Sequence, residues 1–149
     1  MMDVWIMKTY LFKIDFLVRD YECDLQGIVN NSVYQNYLEH ARHQFLKTVG
    51  LDFSLLFQQG ITLVVTRAEL DYRWPLKSGD QFWIGLNIHQ TSKIRYQFHQ
   101  DIYNRNDQRL ILSSIFTATS LNDRGRPQSF PQIQEALTCT SSPDQSESH

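Results

Sequence analysis

Cysteine is nearly absent from this chain. Cys23 and Cys139 are its only thiols, they lie far apart, and neither has metal-ligand spacing. This excludes a disulfide framework and a structural zinc site as sources of stability. An excess of basic charge is also missing. Fourteen Lys and Arg stand against 16 Asp and Glu, a net charge of −2, so no basic stripe marks the chain as a nucleic-acid binder. Small anions held by a few local cations remain compatible with that balance. No apolar run approaches the ~20 residues that span a bilayer. The opening MMDVWIMKTY, interrupted by Asp3 and Lys8, is too short and too polar for a signal peptide. Cytoplasmic residence is therefore the default expectation, and the six residues before Met7 read as a dispensable extension.

What is present is the material of one folded domain. Hydrophobic residues make up 42% and charged residues 20%, the balance of a globular chain long enough to bury a core. Nine Phe, seven Tyr and three Trp suit a sheet and its packed face.

Strand periodicity dominates. Tyr10, Phe12, Ile14, Phe16 and Val18 alternate with Lys13, Asp15 and Arg19, the two-residue period of a half-buried strand. The segment YECDLQGIVNNS then loses all periodicity and reads as a loop. From about 32 to 49 the period becomes helical: Val33, Tyr37, Ala41, Phe45 and Val49 recur every four residues, with Gln35, Glu39, Arg42 and His43 on the other side. Asn31 or Ser32 is expected to cap this helix and Gly50 to end it. A short helical turn is expected within 52–59. Four strands follow, at 61–74, around Phe82 to Ile88, around Ile94 to Ile102, and at 110–121, joined by short antiparallel connections. IQEAL after Pro131 can form a last helical turn. The fold class is α+β. Residues 1–9 are an extension, 10–137 the domain, and 138–149 a polar tail expected to be disordered.

One helix among about five antiparallel strands covers the sheet by lying in its curve, which is a hot-dog arrangement. It leaves strand edges uncovered, so a homodimer or homotetramer is expected.

The segment VRDYECDLQGIVNNSVYQNYLEHARHQFL resembles the signature of acyl-CoA thioesterases related to 4-hydroxybenzoyl-CoA thioesterase. It is carried by Asp24, Gly27, Ile28, Val29, Asn30, Asn31, Tyr34 and Tyr37. RAELDYRWPLKSGD is similar to that family's later strand-turn segment, and the likeness covers about 10–121. The motif looks closest to plant acyl-lipid and methylketone-forming thioesterases, which act on fatty acyl carrier proteins, β-ketoacyl forms included. It departs from the bacterial Tol-Pal-linked branch, which has His where this chain has Asn31, so any role of that His does not transfer.

The resemblance implies a thioesterase that needs no cofactor and no metal, with acyl-CoA or acyl carrier protein as its substrate partner. It implies Asp24 as the essential carboxylate and the backbone N–H of Asn31 as partner of the thioester carbonyl. Gly27, Ile28, Val29, Asn30 and Tyr34 would line the substrate. Ser92, Lys93 and Arg95, at a strand connection, resemble the family's phosphate-contacting region; Arg67, Arg73, Lys77, Arg124 and Arg126 are further cation candidates.

The chemistry is consistent with these residue types. A carboxylate can deprotonate water or attack directly to give a mixed anhydride. Free N–H groups at a helix start, aided by the dipole, can receive an oxyanion. Between base and nucleophile the sequence leaves both routes open. Plainer readings stand beside the sharper ones. A loop Asp before a helix is commonly a cap; Glu39 with Arg42 and His43 reads as an ion-paired helix face, the alternative being that Glu39 or His40 reaches the pocket; Cys23 reads as a bystander thiol; His89 and His99 read as exposed strand residues. A dehydratase would need a His-Phe-Pro type loop, which the chain lacks, and a non-catalytic acyl-binding module would not need Asp24.

Overall fold

Alternation becomes a strand where the sequence places it. In β1 (Phe12–Leu17) Phe12, Ile14 and Phe16 turn inward while Lys13, Asp15 and Leu17 are exposed. The computed structural model describes residues 8–138; the expected dispensable extension and nearly all of the expected tail, Cys139 included, lie outside them. A 3-10 turn (Asp20–Glu22) follows, then α1 (Asn31–Thr48), α2 (Phe53–Gln58), β2 (Thr62–Tyr72), β3 (Gln81–Gln90), β4 (Arg95–Asn104), β5 (Leu110–Leu121) and α3 (Pro131–Thr138).

The five strands form one antiparallel sheet in the order β1-β3-β4-β5-β2. Register builds its inner face. Ile14, Ile84, Ile102, Leu112 and Tyr72 form one row across all five strands, and Phe16 stacks on Phe82 at 5.0 Å. Onto this face α1 sets Tyr34, Tyr37, Leu38, Ala41, Phe45 and Leu46, all buried. Removing so many large side chains from water is the main favourable term in the fold. The result is the expected hot-dog arrangement, a long helix wrapped by a five-stranded sheet.

Three local expectations are corrected. The N-cap of α1 is Asn30, and no side chain caps it. The helix does end where Gly50, at φ +83°, takes a left-handed conformation that suits glycine. Arg42 does not belong to the solvated face: it is 7% exposed, donates from Nη1 to Gln100 Oε1 at 2.9 Å, and its guanidinium lies 4.1 Å from the Phe116 ring. Glu39 therefore lacks the ion pair the sequence suggests, and no salt bridge to it occurs among the described residues. His89 and His99 are half-buried rather than exposed, with ring centroids 4.6 Å apart.

The outer face carries a polar knot. Asp101, 4% exposed, accepts from Tyr10 Oη at 2.6 Å, Lys8 Nζ at 3.3 Å and Ser113 Oγ at 2.8 Å. Asn87 holds the same segment through the Leu11 N–H and the Thr9 carbonyl. Lys8 and Thr9 are thus already tied to the sheet.

Candidate functional site

Between β1 and α1 the chain makes a tight turn bearing Asp24. The Asp24 N–H donates to the Ile28 carbonyl at 2.9 Å, and the Asp24 carbonyl accepts the Gly27 N–H at 3.0 Å. Asp24 Oδ1 accepts the backbone N–H groups of Gln26 at 2.8 Å and Ile28 at 3.3 Å, the side-chain mimicry of a turn that Asp favours. Gly27 has φ +80°, a conformation other residues adopt only with strain. The carboxylate is exposed, and among the described residues Oδ2 has no partner. It is held by one oxygen and free at the other.

The far side of the turn is stitched to the connection between β2 and β3. The Val29 N–H donates to the Leu76 carbonyl at 2.9 Å, and Ile28 bridges Lys77. Val29 is buried and Ile28 half-buried. Tyr34 lies within α1, 3% exposed, and its hydroxyl accepts the Leu76 N–H at 2.9 Å. These contacts hold the start of α1 against the turn. Asn30 is extended at φ −63° and ψ 144°, and its carbonyl accepts the Val33 N–H. Among the described residues nothing accepts the N–H groups of Asn31 or Ser32, the first two of the helix. Such unsatisfied donors at a helix start favour negative charge.

The other candidates separate. Ser92, Lys93 and Arg95 lie at the β3–β4 connection, where Ser92 Oγ accepts the Ile94 and Arg95 N–H groups and Gln134 of α3 donates to the Lys93 carbonyl. The Asp24 turn packs at the opposite end of β3, about 30 Å away along a ten-residue strand. Within one chain these two groups do not meet. Arg73 pairs with Asp71 and Arg67 with Glu69; Lys77 stays exposed beside Ile28. His40 is exposed with its ring edge on Phe16 at 5.8 Å. It lines a cleft of about 470 Å³ between β1 and α1, together with Phe16, Arg19, Glu22 and Tyr37. Cys23 is half-buried, and burial and the carboxylates of Asp20, Asp24 and Glu22 push its thiol above the ordinary range. A thiol so placed stays protonated at neutral pH and is a poor nucleophile.

One residue near Asp24 that the sequence pattern does not place at the catalytic position is central to this geometry. Glu22 Oε1 accepts both the Arg19 N–H and the Tyr37 hydroxyl at 2.8 Å, and its carbonyl accepts the Asn30 N–H at 3.2 Å. Its proximity to Asp24 in sequence is the only signal that points to it; its partner on α1, 15 residues away, is not visible in the chain order.

Comparison with known proteins agrees with this architecture. The family model described as the thioesterase-like superfamily matches residues 18–137. An acyl-acyl carrier protein thioesterase of Arabidopsis thaliana, a chloroplastic protein, is 35% identical over 119 residues, covering 80% of this chain and 63% of that protein. The chain thus spans a little under two thirds of that relative's length. A hypothetical protein of known structure from Aquifex aeolicus is 28% identical, with a TM-score of 0.78 over 85% of this chain and 98% of its own. A 1,4-dihydroxy-2-naphthoyl-CoA thioesterase from Synechocystis gives a TM-score of 0.80 over 85% of this chain and 95% of its own at 19% identity, a likeness of fold. Hot-dog architecture, the turn-and-helix signature and the family match together make this chain a member of the thioesterase-like superfamily.

Proposed function

We propose that the protein hydrolyses an acyl thioester to a free acid and a thiol, with Asp24 as the reacting carboxylate and the Asn31 N–H as the oxyanion donor. The observations that carry this reading are a carboxylate fixed by two backbone N–H groups and, a few residues on, a helix start whose first N–H groups meet no acceptor among the described residues. Asp24 acts either by taking a proton from water or by attacking the carbonyl carbon. In the first route the C–O bond forms as the proton passes to the carboxylate, and the C–S bond then breaks. In the second a mixed anhydride forms with loss of thiolate, and water opens it. The thiolate is a weak base near a pKa of ~8.5, so it leaves with little help. In both routes charge grows on the carbonyl oxygen, where N–H donors stabilise the transition state more than the ground state.

Acyl carrier protein or coenzyme A is the proposed carrier. The Arabidopsis relative's name specifies acyl carrier protein for that protein, and at 35% identity this supports an acyl group on such a carrier here; a fatty acyl chain, β-ketoacyl forms included, is the substrate class proposed from the resemblance of the Asp24 motif. Gly27, Ile28, Val29, Asn30 and Tyr34 then bound the acyl end of the site. A homodimer or homotetramer is part of the same proposal. β2 is an edge strand with Val65 and its neighbours to Glu69 exposed, and edges of that length invite pairing with a second copy. Such pairing is also the means by which a partner's Ser92, Lys93 and Arg95 could join a site they do not reach within one chain.

The test is thiol release from a panel of acyl-CoA and acyl carrier protein substrates, with Asp24→Asn alongside and sedimentation velocity for assembly. Expected are release by the wild type, a loss of orders of magnitude in Asp24→Asn with the fold intact, and a dimer or larger. Equal rates for both proteins refute Asp24; saturable acyl binding without release supports a binding module instead; a monomer at working concentrations refutes the assembly.

A further inference from the structure

We propose that Glu22 and Tyr37 form a clamp that fixes the 24–31 turn on α1, which makes Glu22 a positioning residue for hydrolysis at Asp24. The inference rests on the reading of Asp24 above and names what keeps that carboxylate in register with the helix start.

The turn is rigid within itself. Four bonds close it: Asp24 N–H to Ile28 carbonyl, Gly27 N–H to Asp24 carbonyl, and the Gln26 and Ile28 N–H groups to Asp24 Oδ1. None of them sets its orientation on the helix. Its later half is tied to the β2–β3 connection through Val29 and Ile28. Its earlier half is held by the Cys23–Val29 bridge, by Asp20 accepting from Ser78 Oγ, and by Glu22, which joins three points at once: Arg19 before the turn, Asn30 after it, and Tyr37 on the second turn of α1.

Tyr37 is a fixed anchor. It is 5% exposed, and its ring centroid lies 4.8 Å from that of Phe82, 5.6 Å from Phe16 and 6.3 Å from Tyr34. A ring wedged by three others has no room to reorient. Its hydroxyl therefore presents one well-defined donor, and Glu22 reads it. The residue type follows: a single carboxylate oxygen receives two donors from separate parts of the chain, and hydrogen bonds to an ionised acceptor are the stronger kind.

The consequence is kinetic. A reacting group displaced by about 1 Å loses on the order of 100-fold in rate without any contact to substrate being lost. Glu22→Ala and Tyr37→Phe are therefore expected to lower kcat by about 10- to 100-fold while leaving KM close to wild type. Glu22→Gln, whose Oε1 still accepts both donors, restores most of kcat. The double variant Glu22→Ala/Tyr37→Phe falls no further than the worse single one, because each removes the same tie.

Amide hydrogen exchange across 24–31 gives a readout independent of any substrate. Glu22→Ala and Tyr37→Phe raise exchange at Gly27 and Asn30 while β3 and β4 amides stay protected. Unchanged exchange in Glu22→Ala overturns the clamp. A Glu22→Gln variant as slow as Glu22→Ala overturns the positioning role, because the charge itself would then be what matters. Failure of the wild type to release thiol from the whole panel counts against the hydrolase reading, and the exchange result still decides the clamp.

Discussion

The ring of Tyr10 lies directly on Gly85, so that a Cβ built there would fall 2.5 Å from the ring. Glycine inside a strand often marks such an approach. The contact seats the Tyr10 ring edge-on to Trp83 and Tyr103 and brings its hydroxyl to Asp101. Gly85→Ala is therefore expected to destabilise the fold by roughly 1–3 kcal/mol, the range for overpacked sites. In a Tyr10→Ala background the same substitution costs much less. Urea unfolding of the four proteins of this cycle measures the difference, and a Gly85→Ala protein as stable as wild type shows that the ring yields freely.

His99 makes stability depend on pH in a defined direction. Burial, the facing His89 ring and Lys8 hold its pKa below the ordinary 6.5, against the weaker opposite pull of Asp101 and Glu69. Above 6.5 the imidazole is neutral in both folded and unfolded chains and contributes no slope. Below 6.5 the unfolded chain takes up the proton first, so stability falls as the pH is lowered toward the folded value. His43, also depressed by burial, acts in the same direction. Unfolding curves from pH 7.5 to 5 are expected to show a loss that His99→Gln reduces and does not abolish. Superimposable profiles for the two proteins refute this assignment.

Much of the fold is written in period. Tyr10 to Val18 alternates as a strand and Val33 to Phe45 steps as a helix, because each face meets one environment along its whole length. Arg42 shows where pattern stops. It stands four residues after Leu38 and three before Phe45, on the inward stripe, yet its charge argues for solvent. What permits its burial is Gln100, fully buried on β4, which accepts from Arg42 and donates to the Leu38 carbonyl. That acceptor is 58 residues away, and no local signal announces it. The site divides in the same way. The turn at Asp24 and Gly27 and the helix start at Asn31 are legible because turn chemistry and helix starts are local, whereas the Glu22–Tyr37 bond and the distance to Ser92 exist only once the strands are paired.

Proline at position 31 separates the two functions of the helix start. The Asn31 N–H meets no acceptor among the described residues, so removing it breaks none of their bonds. Proline is well suited to the first position of a helix, and Asn30, at φ −63° and ψ 144°, already has the extended conformation required before proline. Asn31→Pro should therefore fold and melt like wild type. If the Asn31 N–H receives the oxyanion, its loss lowers kcat by about 100- to 1,000-fold, the effect of deleting one such donor. Asn31→Ala keeps the N–H and removes only the side-chain amide, so it should retain most of the activity. The opposite pattern, with Asn31→Pro active and Asn31→Ala slow, transfers the role to the side chain; two active variants place the oxyanion donor elsewhere.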